Sequence, residues 1–400
     1  MKENIRILSF SPIYYPHVGG AERTIYELFT RLANKKYIID LVTPNYGGKK
    51  IEIHDGFTTF RVGKELKNRY LKFIFYQYEI YKKAINLIKK NKYDFIQIHF
   101  GFPTSLIALY LSKKFKIPLI TSEYHLGTGM DIIKAEQNPF FVNPILKKVY
   151  NASSLILTIS NEQKKFIHSV SGRNDSIVIF QGTDHEYFSP KNYDATILKK
   201  FDCKSFVFIT VSRLSPRKNI LDMIRAVKIV TQKFKHIKLL IVGKGEDAEK
   251  IKKLIHELNL ENNVILTGFI SDNKLKKLYA TADLFLLTSK YEGFGIANCE
   301  ALASGTPIIT YDTTAALDYI EQGKTGFVTK HSVKEFSEKI LYLLNNPKKL
   351  KEFSLNARKT IEKNYTWQIY ANKHDKIIKN YLSMSKRGKN EKRIKIHKKI

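Results

Sequence analysis

Short apolar runs of strand length recur along this chain, each followed by a turn-rich stretch and then by a segment of helical period. The run Ile5–Phe10 leads through Ser11-Pro12 and Gly19-Gly20 into the helical spacing of Ile25, Leu28, Phe29 and Leu32. Strands are predicted again at residues 38–42, 95–99 and 119–123, with helices at 73–88 and 106–111 between them. Such alternation predicts a parallel, doubly wound sheet, because parallel neighbours need a crossover long enough to hold a helix. After a polar stretch at residues 182–200 the alternation restarts, with strands predicted at 206–211, 239–242, 264–267, 284–287 and 307–310. The chain therefore reads as α/β, with two Rossmann-like parallel-sheet domains and a cleft between them where the loops after the strands carry function.

The length supports that division, since 400 residues, 43% of them hydrophobic, suffice for two ordinary cores and would make one unusually large domain. The predicted bounds are 1–182 for the first domain and 183–365 for the second. A closing helix at 366–383 follows, with Trp367, Tyr370, Ile377, Ile378 and Tyr381 at helical spacing, and then a polybasic tail at 384–400. The two cysteines, Cys203 and Cys299, have no paired Cys or His spacing around them, which argues against a disulfide framework or a zinc site and suits a reducing cytoplasm. No window approaches the ~20 apolar residues of a membrane-spanning helix, and the N-terminus enters a strand without a signal-peptide pattern. The expected location is cytoplasmic, and if the protein meets the inner face of the cell membrane it does so from the surface.

Sixty-eight Lys and Arg oppose 37 Asp and Glu, a formal charge of +31. That excess attracts polyanions, whether anionic lipid, nucleic acid or phosphorylated substrate, without choosing among them. It also fits a lysine-rich proteome. Residues 70–92 interleave Phe73, Phe75, Tyr76, Tyr78 and Tyr81 with Lys72, Lys82, Lys83, Lys89 and Lys90. Two readings fit: a helix packed on its sheet with a lysine-rich outer face, or a basic aromatic helix lying on an anionic membrane.

The chemistry concentrates in Tyr291-Glu292-Gly293-Phe294-Gly295-Ile296, after the predicted strand 284–287 and before a predicted helix at 296–303. Glycines there permit close backbone approach, and the new helix offers unpaired amides and the positive end of its dipole to an anion. Glu300 lies eight positions after Glu292, so two carboxylates can accept hydrogen bonds from different hydroxyls of one polyol. An isolated Glu would ordinarily be a solvated surface residue; the strand and the Gly-Phe-Gly context change that.

This stretch resembles the E-x7-E motif of the retaining GT-B glycosyltransferases of family 4. Val211-Ser212-Arg213-Leu214-Ser215-Pro216-Arg217-Lys218-Asn219 is similar to the family's G-R-L-x-x-x-K-G segment, with Ser212 and Asn219 in place of glycines. Val242-Gly243-Lys244-Gly245-Glu246 resembles its G-x-G turn and Gln181-Gly182-Thr183-Asp184 its N-G-V-D entry. Gly19-Gly20 matches its first-loop glycine pair, and His125 the histidine after a late N-domain strand. The resemblance spans about residues 5–365. It implies transfer of a hexose from a UDP- or GDP-sugar to an acceptor hydroxyl, on a cell-envelope glycan, a lipid-linked acceptor or a small polyol, with retention. Arg213 and Lys218 would neutralise the departing diphosphate without a metal or other cofactor. Glu300 would bind the ribose, Glu292 the donor sugar, the amides of 293–296 the sugar or diphosphate, and His125 the transferred sugar near the reacting carbon. Gly19, Gly20 and Gly243 join them in the donor site.

One departure stands out. Thr313-Thr314-Ala315-Ala316-Leu317-Asp318 replaces the family's usual glycine-containing loop, and alanine costs backbone freedom wherever a close approach is required. The alternative from another class is a basic nucleic-acid- or polyanion-binding protein on a Rossmann-like scaffold. No helix-turn-helix, zinc or RNA-recognition signature supports it, and no nucleic-acid partner is expected.

Overall fold

The computed structural model describes residues 4–17, 19–64, 66–124, 139–202, 206–313 and 315–386. The chain forms two compact units. One comprises residues 1–180 with 368–400, the other residues 181–367. The predicted helix at 366–383 is observed at Trp367–Lys386, and all but its first residue group with the N-terminal unit. The tail from 387 lies outside the described residues.

In the N-terminal unit, β1 (Ile5–Phe10), α1 (Gly20–Ala33), β2 (Tyr37–Pro44), β3 (Ile51–His54), β4 (Phe57–Val62) and α2 (Arg69–Lys90) come first. β5 (Phe95–His99), α3 (Ser105–Phe115), β6 (Leu119–Glu123), α4 (Pro139–Ala152), β7 (Leu155–Thr158), α5 (Asn161–Ser171) and β8 (Ile177–Val178) follow. Among the described residues the sheet has eight strands in the order β3-β4-β2-β1-β5-β6-β7-β8. Every pair is parallel except β3 with β4, which departs from the purely parallel sheet predicted. Asp55-Gly56 between two alternating runs makes this edge hairpin, a strong local turn signal that the strand-and-helix reading passes over.

The buried strands read as continuous apolar runs because helices cover both faces of a parallel sheet. Leu8, Phe10, Ile96 and Ile98 share a core with Ile80, Ala84 and Leu87 of α2 and with Ala108 and Leu111 of α3. Helix α2 thus packs on its sheet through one stripe. Its opposite stripe leaves Leu71, Ile74 and Tyr78 exposed and continues into Lys82 and Lys89.

The C-terminal unit runs through short α6 (Thr196–Lys199), β9 (Val207–Val211), α7 (Ile220–Thr231), β10 (Lys238–Val242), α8 (Ala248–Glu257), β11 (Val264–Gly268) and α9 (Asp272–Thr281). It continues with β12 (Leu284–Leu287), α10 (Ile296–Ala303), β13 (Ile308–Tyr311), β14 (Gly326–Thr329), α11 (Val333–Leu344) and α12 (Pro347–Asn364); α13 (Trp367–Lys386), the last described element, follows and groups with the N-terminal unit from residue 368. Its six described strands are all parallel, in the order β11-β10-β9-β12-β13-β14. Met223, Ile224, Val227 and Val230 form the buried stripe of α7 against Phe208, Ile241, Leu284 and Leu286. Burial of each such side chain is worth about 1.5–3 kcal/mol, which is what holds a helix of twelve residues in place.

Candidate active site

In the C-terminal sheet the chain leaves β9 toward β10 and β11 on one side, then crosses to β12, β13 and β14 on the other. The point where the order reverses, at the carboxyl ends of β9 and β12, is where doubly wound sheets bind ligands. Two loops leave that point, 212–219 after β9 and 288–295 after β12, and hydrogen bonds join them. Thr288 Oγ1 donates to the Asn219 carbonyl at 2.8 Å, the Lys290 N–H to the Arg217 carbonyl at 2.9 Å, and Arg217 Nη1 to the Tyr291 carbonyl at 3.3 Å.

Glu292, 6% exposed, sits among these contacts. Lys218 Nζ donates to Oε1, and Arg217 Nη1 lies 3.6 Å from Oε2. Burial alone would raise the carboxyl pKa, but the charges of Lys218 and Arg217 and the Lys218 hydrogen bond outweigh it, holding the group below its ordinary value. Glu292 is therefore a carboxylate at neutral pH. The sequence pairs Lys218 with Arg213, whereas here the second cation on Glu292 is Arg217. Arg213 lies 3.6 Å from Glu246 in a pair whose side chains are both more than half exposed, an arrangement that contributes little to stability.

The 288–295 loop passes into α10 through Gly295, whose φ of +95° is left-handed; a Cβ there would lie 2.6 Å from Asn298 Nδ2. Phe294 is buried against Tyr319 and Tyr365, with ring centroids 5.2 and 6.2 Å away, so its side chain anchors the loop and only its main chain is placed to meet a ligand. Gly293 precedes it and Ile296 opens α10, which has neither an acidic residue in its first turn nor a side-chain cap. Its first amides and its dipole are thus unopposed by local side chains. Glu300, also 6% exposed, accepts a hydrogen bond from Tyr279 of α9 at 3.2 Å.

Gly243 has a structural part to play at this edge. Its N–H donates to the Gly268 carbonyl at 2.9 Å, and at its φ of +136° a Cβ would lie 1.9 Å from the Ser212 carbonyl oxygen. It lets two backbones cross, which sets the course of the 212–219 loop. The departure at 313–318 carries no backbone penalty at its described positions. Ala315 to Asp318 make one 3-10 turn, and none of these residues has a left-handed φ. Thr314 lies outside the described residues.

The remaining predicted residues belong to the N-terminal unit. Gly19 precedes α1 in extended conformation and Gly20 begins it, at the carboxyl end of β1, where that sheet also reverses its order between β1 and β5. His17 Nδ1 lies 2.9 Å from the buried Glu22 in the first turn of α1. His125 lies outside the described residues. The N-terminal unit also holds a buried network that the sequence does not suggest. His99 contacts the Tyr124 hydroxyl at 2.9 Å and the Ser9 hydroxyl at 3.0 Å, and Tyr150 donates to Glu123 at 2.9 Å. Burial pushes the His99 ring down to about 3 and the Glu123 carboxyl up to about 8, so both are neutral near pH 7. Among the described residues no group of three or more His, Cys, Asp or Glu could hold a metal ion, and no helix is long and apolar enough to cross a membrane.

Comparison with known proteins gives the family and the fold. A family profile described as Glycosyltransferase Family 4 matches residues 18–187, and one described as Glycosyl transferases group 1 matches residues 198–360. Poly(glycerol-phosphate) alpha-glucosyltransferase of Bacillus subtilis is 30% identical over 60% of this chain, which spans about a third of that enzyme's length. Alpha-monoglucosyldiacylglycerol synthase of Acholeplasma laidlawii is 24% identical over 97% of this chain and 100% of its own. Among solved structures, sucrose-phosphate synthase from Thermosynechococcus elongatus superposes with a TM-score of 0.82 at 18% identity, covering 95% of this chain and 100% of that one. Anabaena HepE in complex with UDP-glucose gives 0.75 at 20% identity, over 94% and 100%. The two α/β units are those of the GT-B fold, and the chain belongs to the family 4, group 1, glycosyltransferases.

Proposed function

We propose that this glycosyltransferase moves a hexose from a nucleoside-diphosphate sugar, UDP-linked in the first instance, to a hydroxyl of a cell-envelope glycan or lipid-linked acceptor, with retention. The observation that carries the reading is the switch-point constellation, in which Lys218 and Arg217 meet the ionised Glu292 one loop before the uncapped N-terminus of α10. A diphosphate suits those amides and Lys218, with Arg213 at the rim. Glu292 accepts from the donor sugar's hydroxyls and Glu300 from the ribose. In the reaction the bond from C1 to the diphosphate oxygen breaks, its electron pair leaves with the diphosphate, and the acceptor oxygen bonds C1. The acceptor proton passes to a phosphate oxygen, so the chain's cations need only stabilise the departing charge, and no metal is required.

Donor and stereochemistry draw support from the relatives. The Anabaena protein was solved with UDP-glucose, and both curated relatives above are named for alpha-glucosyl products. Common UDP-hexoses are themselves α-anomers, so an α product means retention. The family membership leaves the nucleic-acid reading with net charge as its only ground.

Melting the protein with UDP, GDP, ADP and their glucose conjugates tests the donor, since a ligand at a hundred times its Kd stabilises the folded state by about 2.7 kcal/mol. UDP and UDP-glucose should raise the melting temperature, with and without EDTA. The reading fails if no nucleotide does so, and the metal-free part fails if EDTA abolishes the shift.

A membrane-borne acceptor is favoured by a second observation. Leu71, Ile74 and Tyr78 of α2 and Leu106 and Tyr110 of α3 are large, apolar and exposed on adjacent helices whose Tyr81 and Tyr110 rings lie 6.0 Å apart. Lys82, Lys113 and Lys114 flank them. Apolar residues within a basic rim suit an anionic lipid surface. Co-sedimentation with phosphatidylglycerol vesicles should fall severalfold in Leu71→Ser/Ile74→Ser, and unchanged binding would remove this face from consideration.

A further inference from the structure

Neither motif spacing nor the family resemblance gives Arg217 a role, yet it is the cation that ties the two switch-point loops together. Its carbonyl accepts the Lys290 N–H, its guanidinium donates to the Tyr291 carbonyl and stands 5.3 Å from the centroid of the Tyr291 ring, and it faces Glu292 at 3.6 Å. It takes Oε2 of Glu292 while Lys218 takes Oε1. The two cations differ in freedom. Arg217 is held by a ring, a carbonyl and a carboxylate together, whereas Lys218 carries three donors on a flexible stem that can turn.

The consequence follows from charge, and it rests on the reading that Lys218 serves the diphosphate. When an anion of two or more charges arrives, Lys218 is drawn to it. Glu292, nearly buried, then stands beside that anion, and without a second cation it would be an uncompensated buried charge. It would take up a proton and lose the capacity to accept hydrogen bonds on both oxygens. We propose that Arg217 is a positioning residue that keeps Glu292 ionised and aimed while Lys218 turns from it to the bound diphosphate. The groups facing Glu292 that bear on its protonation are Lys218, Arg217, the Ser289 hydroxyl, which favours the charged form, and the neutral Tyr319.

Two measurements test this, and the first needs no donor. In protein labelled with 13C at the Glu carboxyls, the Glu292 signal is identified by its loss in Glu292→Gln. In Lys218→Met it should still titrate as a low carboxylate; in Lys218→Met/Arg217→Met it should move up by about a unit or more. Coincident titrations in the two variants would overturn the proposal. The second is steady-state transfer from UDP-glucose. Arg217→Ala should lower kcat at least tenfold with less than threefold change in donor KM, and should move the acid limb of the pH profile upward. Arg217→Lys should return most of that limb. An unchanged kcat and acid limb in Arg217→Ala would also overturn it. Absence of any turnover with UDP-glucose in the parent protein indicts the donor reading alone, and the carboxyl titration still decides the role of Arg217.

Discussion

The two sheets share one construction at their switch points and part in chemistry at their carboxyl edges. In the N-terminal unit Asp94, just ahead of β5, accepts the Arg6 N–H of β1 at 2.8 Å, and its own N–H returns to the Arg6 carbonyl at 2.9 Å. In the C-terminal unit Asp283, just ahead of β12, accepts the Val207 N–H of β9 at 2.7 Å and returns to the Val207 carbonyl at 2.8 Å. Each aspartate therefore pins the start of the first strand to the strand across the switch point. At the other end of the same strands the chemistry separates. The N-terminal edge holds buried groups kept neutral, His99, Glu123 and Tyr124, while the C-terminal edge holds an ionised carboxylate between two cations. The scaffold is repeated; the electrostatics are not. A transferase needs charge where charge departs, and the proposed function assigns that task to the C-terminal edge.

That contrast breaks most visibly at the charged edge. Lys218→Ala and Glu300→Gln should each lower turnover about 10²–10³-fold, the scale of removing one contact to developing charge or one anchor of the donor. Neither should shift the melting temperature by more than a few degrees, because Lys218 leaves a carboxylate still paired with Arg217 and Glu300→Gln retains an acceptor for Tyr279. Turnover within threefold of the parent in both variants would show that the charged edge is structural.

Much of the scaffold is legible in the chain itself. Strands at 5–10, 95–99, 119–123 and 284–287 and the helix at 296–303 are observed at the predicted residues, because strands buried on both faces are unbroken apolar runs. The hairpin β3–β4 escapes that reading although Asp55-Gly56 marks it, since its half-exposed, alternating strands lack such runs. At the site, Lys218, Glu292 and Glu300 stand out through spacing and resemblance. Arg217 and Tyr279 do not, because their significance lies in what they touch. Arg217 meets a loop 74 positions away and Tyr279 a carboxylate 21 away, and no periodicity encodes such pairs. His99 and His374 are more distant still in sequence, and neither carries a motif.

Those two histidines supply the smallest predicted effect and the sharpest test of the neutral edge. His374 of α13 is buried, with Nδ1 on the Tyr370 carbonyl at 3.0 Å and Nε2 without a hydrogen-bond partner among the described residues. Burial lowers it to about 4, and burial with the His374 charge lowers His99 to about 3. In the unfolded chain both titrate near their ordinary value of 6.5. A depressed folded pKa gives stability that is present above the unfolded value and is lost as pH falls toward the folded one, here from about 6.5 toward 4. Glu123 has the opposite sign. Raised from 4.5 to about 8, it favours folding below 4.5 and loses that contribution as pH climbs through 8. His374→Leu should therefore flatten the fall of the N-terminal unit's stability between about pH 6.5 and 4 by ~1–3 kcal/mol, and Glu123→Gln should flatten the opposite fall between about pH 4.5 and 8 by a similar amount. Unfolding scans from pH 4.5 to 9.5, with amide exchange assigning each transition to its unit, read both effects. The C-terminal unit should follow neither. If the parent protein loses N-terminal stability at neither extreme, the groups at that edge are not held neutral, and the contrast between the two sheets falls with them.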